Sequence, residues 1–238
     1  MAASDYYAQV QEFFIGFYQR PADPGGLLYW ADVLEASGGD TTEMVESFAN
    51  SAEADALYGD ITSVNIEAVV IQIYESAFDR VVDGTDQGVI DYVAGFNDGT
   101  YSAATIMINI IDGAQNDDQI ALDNKGQAAQ DFTEAVDPGL DGVDVQVTYS
   151  GDDDTEAGRD FLADVGVDVA TVPTDDELND YLATEVADPD DPILDGETFT
   201  LTTGVDKLVA SDYELAEGEV EADVTRTTDG DDTIDGVV

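Results

Sequence analysis

The chain has 238 residues, with 55 Asp or Glu against 6 Lys or Arg and neither Cys nor His, for a formal net charge of −49. That balance excludes nucleic acid, which needs a basic stripe to neutralise its phosphates, and an anionic bilayer would repel the surface. Without Cys or His there are no disulfides, thiolate nucleophiles, imidazole bases or soft-metal sites.

The cations are Arg20, Arg80, Lys125, Arg159, Lys207 and Arg226. A chain so acidic repels itself and opposes its own compaction. High salt screens that repulsion, and divalent cations neutralise it locally. The composition therefore predicts a brine-like or calcium-rich setting such as the outside of a cell. A hydrophobic content of 43% is enough for one or two modest cores. No apolar run approaches transmembrane length, so no membrane insertion is expected. Met1-Ala2-Ala3-Ser4-Asp5 lacks the basic and apolar regions of a signal peptide. The chain is thus expected to stay inside or to leave by a route without an N-terminal signal.

Residues 5–136 follow the helical period. Tyr6, Val10, Phe13, Phe14, Phe17 and Tyr18 mark a first helix. Asp23-Pro24 is an N-cap followed by proline at the first helical position. The helix it opens points Leu27, Leu28, Trp30, Ala31 and Leu34 inward and stops at Ser37-Gly38-Gly39. Thr41 or Thr42 caps a helix using Met44, Val45, Phe48 and Leu57. About sixty residues on, the plan repeats. Arg20-x-x-Asp23 corresponds to Arg80-x-x-Asp83, and Gly26-Leu27-Leu28-x-Trp30 to Gly88-Val89-Ile90-x-Tyr92. Gly99-Thr100-Tyr101-Ser102 then supplies the next stop and cap. Two related three-helix units, about 1–60 and 61–136, form one bundle, with a closing helix over 117–134.

After Asp137-Pro138-Gly139 the period changes. Val143, Val145, Val147 and Tyr149 alternate as in a half-buried strand. Residues 154–164 read as a helix, 167–172 as a strand and 174–184 as a capped helix. Residues 137–187 thus form a small α/β segment. The stretch 188–238 reads as a linker followed by a β-rich, calcium-repeat-like tail. The fold class expected is α+β.

Arg20-Pro21-Ala22-Asp23-Pro24-Gly25-Gly26-Leu27-Leu28-Tyr29-Trp30 resembles the signature Arg-x-Pro-Asp-x-x-Gly-Leu-x-Tyr-Trp. That signature marks a helical domain, of no assigned biochemical function, common in large secreted proteins of Gram-negative bacteria. Pro21 and Ala22 are transposed here, and the second repeat lacks the proline and the tryptophan. The resemblance covers residues 1–135. In the tail, 199–208 is similar to the junction that leads into calcium-binding repeats in surface-layer and type I secreted proteins. Gly204-x-Asp206-x-Leu208 and Gly230-x-Asp232-x-Ile234 fit half of a glycine-rich nonapeptide, neither in tandem nor complete. Together these features resemble the N-terminal anchoring region of Gram-negative surface-layer proteins. The resemblance implies type I secretion, bound calcium and attachment to lipopolysaccharide.

The candidate calcium ligands are Asp206 and Asp232, then Asp231 and Asp235. Asp152 and Asp154 join them, within an acidic Asp152-Asp153-Asp154 turn that would repel phosphate and attract a cation. The competing reading is a solvated, helix-capping acidic turn. Arg20 and Arg80 suit turn-tying structural roles better than glycan contacts. Trp30 suits the core, whereas Tyr29 is the candidate glycan contact. No nucleophile elbow, P-loop or dinucleotide fingerprint is present, so no catalytic residue is assigned and no enzyme is expected. The function expected is structural: a self-assembling extracellular subunit of a layer, sheath or filament with cation-bridged contacts. The alternative is a module of a larger adhesin that anchors to lipopolysaccharide or another glycan.

Overall fold

A computed structural model describes residues 2–136, 149 and 151–186, and the backbone of two short strands further on. A 3-10 turn, Ala3–Tyr6, leads into α1 (Tyr7–Tyr18), α2 (Pro24–Ser37), α3 (Thr42–Ala49) and α4 (Ala52–Tyr58). Then come α5 (Ile66–Phe78), α6 (Gln87–Asp98), α7 (Ala103–Asp112) and the long α8 (Asp117–Val136). After α9 (Asp152–Ala163) a 3-10 turn, Val169–Thr171, precedes α10 (Asp175–Tyr181), which runs into a π-helical turn, Leu182–Val186.

The helix ends follow local chemistry. The Asp23 carboxylate accepts the Gly26 N–H at 2.7 Å with Pro24 in the first turn, and Gly38 closes α2 at φ 71°. Gly99 closes α6 at φ 81°, and Ser102 caps α7 through the Thr105 N–H. Both α1 and α5 end on a non-glycine residue in the left-handed region, Gln19 at φ 62° and Asp79 at φ 51°, each followed by an arginine. Thr41 is the N-cap residue of α3, one of the two positions expected, but its side chain makes no capping bond; Asp40 accepts from the Thr42 N–H and hydroxyl instead. The single helix expected over Met44 to Leu57 is two, because the Ser51 hydroxyl takes the Ala54 N–H and starts α4 afresh.

Helix α1 is the hub. Its Val10, Phe13, Phe14, Ile15, Phe17 and Tyr18 are all buried, and α2, α4, α5, α7 and α8 pack around it. Phe48 of α3 sits in an aromatic nest, its ring 4.6 Å from Tyr18, 5.0 Å from Phe14, 5.5 Å from Trp30 and 5.6 Å from Phe17. Across the α1–α8 seam, the Gln11 amide donates to Thr133 Oγ1 at 2.8 Å and accepts the Ala22 N–H at 3.0 Å. The Thr133 hydroxyl donates in turn to the Ala22 carbonyl at 2.7 Å. A polar knot of this kind is tolerated in a core because each member is satisfied. Leu28, expected to point inward, is instead 40% exposed on the outer side of α2.

The α+β class is overturned. From residue 2 to residue 186 every regular element described is helical. The strand expected over 167–172 is a loop and a 3-10 turn, because the Asp168 carboxylate accepts the Ala170 N–H and curls the backbone. Val143, Val145 and Val147 lie outside the described residues. Tyr149 is described and is not in a strand; its ring packs 5.1 Å from Phe132. Of the tail expected to be β-rich, the described part is β1 (Lys207–Val209) and β2 (Thr233–Asp235), parallel with Lys207 opposite Thr233. A pair of three-residue strands does not make a β-rich domain. One apolar cluster runs unbroken from Tyr6 to Val186, so α9 and α10 share the core of the bundle.

Candidate functional site

The polar centre of the molecule is built where α1, α4 and α9 meet. The left-handed turn at Gln19 aims Arg20 back over α1, where its guanidinium lies 5.1 Å from the Phe14 ring centroid and 5.5 Å from that of Tyr18. Its Nε and Nη2 donate to the two oxygens of Glu53 at 2.7 and 2.9 Å, a fork-to-fork pair, and Nη1 donates to the Pro21 carbonyl at 2.9 Å. Arg159 of α9 reaches the same Glu53 oxygen at 2.7 Å through Nη2, while its Nε donates to the Tyr18 carbonyl at 3.0 Å. Burial works against the Arg20 charge, but the Glu53 hydrogen bonds, with Asp23 beside them, raise its pKa and keep it a cation.

Beside this cluster a cleft of about 390 Å³ is lined by Gln19, Gln72, Ser76, Lys125, Arg159 and Asp160, among others. Lys125 is buried and its Nζ donates to the Leu162 carbonyl, pegging α8 to α9. Burial lowers its pKa to about 8, and Asp79 and Asp164 pull the other way. With its ammonium committed to a carbonyl, Lys125 acts as a cross-brace, and the cleft offers amides, a hydroxyl and carboxylates to a small polar guest.

Further along α1, Glu12 borders a small recess with Phe13, Phe17, Ile108, Ile111 and Asp112. Burial, then the nearby charges of Asp112 and Asp123, raise its pKa to about 7.

Trp30 is buried at 8% exposure and Tyr29 is 56% exposed, the two rings edge to face at 4.9 Å. Arg20 ties its turn as expected. Arg80 does so with a different partner: it pairs with Asp118 at 3.3 Å and lies over Tyr74 at 4.5 Å, while Asp83 accepts from Thr85. Asp152 and Asp153 are exposed and Asp154 half-buried, all in the first turn of α9, where carboxylates favour the helix dipole. Asp206, Asp231 and Asp232 lie outside the described residues, and of Asp235 only the backbone, at the end of β2, is described. Among the described residues no group of three or more carboxylates is arranged to hold a metal ion. Sequence reading missed Glu53, Arg159 and Lys125. The available signal was scarcity: in a chain so poor in cations, each one has strong local demand from carboxylates.

No family model, no curated protein and no solved structure matches this chain. No helix among the described residues is long and apolar enough to cross a membrane.

Proposed function

We propose that this is a structural, non-enzymatic protein that assembles with copies of itself outside the cell, in a layer, sheath or filament whose contacts are bridged by calcium or other cations. The observation that carries the reading is where the described cationic side chains go. Arg20 and Arg159 share Glu53, Arg80 pairs with Asp118, and Lys125 holds the Leu162 carbonyl. All are committed within the chain, so a neighbouring copy meets a surface dominated by carboxylates. Like-charged faces of this kind approach only when metal or concentrated salt neutralises them. The resemblance of residues 20–30 and 199–208 to secreted surface proteins supports the same reading, with export by type I secretion.

Sedimentation and electron microscopy in dilute buffer, with and without millimolar calcium, test it. Assembly on adding calcium and dissolution with chelator is the expected result. A lone particle under every salt and calcium condition overturns it. A second reading, anchoring to lipopolysaccharide or another surface glycan, is favoured by the exposed Tyr29 ring next to Trp30. Loss of glycan binding in Tyr29→Ala with an unchanged fold is its test.

A further inference from the structure

Most large apolar side chains of the described chain are covered, yet several of the exposed ones lie on segments that touch one another. Val169 is 73% exposed, Ile120 45% and Val167 42%, and Val81 in the loop after α5 is 89% exposed. They come from separate stretches that specific contacts bring together. Asn124 of α8 donates its amide to the Gly166 carbonyl at 2.7 Å and to that of Val167 at 3.3 Å, seating the loop after α9 on α8. Ile120 lies one turn before Asn124 on the same face of α8. The loop after α5 abuts from the other side: a Cβ on Gly166 would stand 2.6 Å from Asp79 Oδ2. Arg80, next in the chain, pairs with Asp118 of α8 at 3.3 Å and holds that loop in place.

Exposed carboxylates flank the apolar positions along the same segments: Asp117 and Asp123 on α8, three residues either side of Ile120, and Asp164 and Asp168 on the loop. Among the described residues two cations come near this rim: Arg80 is paired with Asp118, and Lys125, which feels Asp164, is buried and holds the Leu162 carbonyl. An apolar centre inside a polar rim is the anatomy of a protein-binding surface. The sign of the rim selects the occupant. A second copy in the same orientation would bring the same aspartates against these, and an anionic bilayer would be repelled.

We propose that this face docks a cationic amphipathic segment of another protein, with aliphatic side chains over Ile120, Val167 and Val169 and Lys or Arg against the aspartates. The proposal is independent of self-assembly through cation bridges. A basic partner carries its own neutralising charge and needs no metal.

The test uses two synthetic peptides of equal positive charge, one with Lys and Leu at helical spacing and one with every Leu replaced by Ser. Binding to the full chain is followed by calorimetry in half-molar sodium chloride, where bare charge attraction is screened. The Leu peptide is expected to bind at least tenfold more tightly than the Ser peptide. The double variant Ile120→Ser, Val169→Ser removes that advantage, whereas Val64→Ser, Ile90→Ser at two other exposed apolar positions keeps it. Circular dichroism verifies that each variant stays helical. Equal affinity for the two peptides, or an equal loss in both variants, overturns the proposal. So does concentration-dependent dimerisation of the wild type, without peptide, that the double variant abolishes.

Discussion

Replacing Glu12 with Gln should make the protein more stable, and only above about pH 5. Glu12 lies on α1 beside an apolar recess, with the charges of Asp112 and Asp123 acting on it and, among the described residues, no cation paired with it. Its pKa is about 7 when folded, against an ordinary value of 4.5. A carboxyl whose folded pKa lies above its unfolded one binds its proton more tightly in the native state. Its contribution is therefore complete below the unfolded value and is lost as pH rises through the folded one. At about 1.4 kcal/mol per pH unit the full effect would be roughly 3 kcal/mol. Part of the carboxyl faces water, and screening there brings the expectation down to ~1–2 kcal/mol. Gln fills nearly the same space and cannot ionise, so Glu12→Gln should match the wild type near pH 4.5. By pH 8 it should lead by ~1–2 kcal/mol, or about 2–8 °C in Tm for a chain of this size. Thermal melts of both proteins in half-molar salt, from pH 4.5 to pH 8.5, measure the difference directly. A constant gap across that range, or a variant no more stable than wild type at pH 8, would refute the reasoning.

Other outcomes follow from the core. Arg20→Met leaves Glu53 partly buried with half its partners and should cost ~3–5 kcal/mol in urea unfolding; Arg20→Lys, which keeps the charge but not the fork, should restore only part. Phe48→Ala empties the aromatic nest and should lower stability by ~3–5 kcal/mol in the same assay. Because the Lys125 pKa is depressed to about 8 from 10.5, the unfolded chain holds that proton better, so this group adds stability as pH rises from 8 to 10. Lys125→Met should lack that rise, seen as the difference between the two pH-stability curves. Thr174→Ala breaks the capping box with Glu177 at the start of α10 and should cost ~1 kcal/mol.

What was legible in the sequence was what is decided within a few residues. Asp23-Pro24, Gly38, Gly99 and Ser102 set helix ends through bonds to their own neighbours, and the structure uses each in that way. Errors arose where a local pattern had two meanings. Val167, Val169 and Thr171 alternate as a strand would, but a strand needs a partner edge, and Asp168 turns the backbone instead. Leu28 follows the helical period of α2, yet it stands 40% exposed. Ser51 restarts a helix inside a continuous apolar period, which periodicity alone does not reveal. The polar centre was invisible for a different reason. Arg20 meets Glu53 across 33 residues and Arg159 meets it across 106, and no spacing rule links positions so distant.

The way α9 and α10 are fastened has a consequence for chain continuity. Arg159 grips Glu53 and the Tyr18 carbonyl, Lys125 grips the Leu162 carbonyl, and Phe132 and Phe161 meet at 5.0 Å. A segment as short as 151–186 is too small to fold by itself, so its order is borrowed from the helices beneath it. Severing the backbone once, between 136 and 149, should therefore yield two pieces that elute as one and separate only on denaturation. Mixed afterwards, they should find each other again, the smaller one folding as it docks.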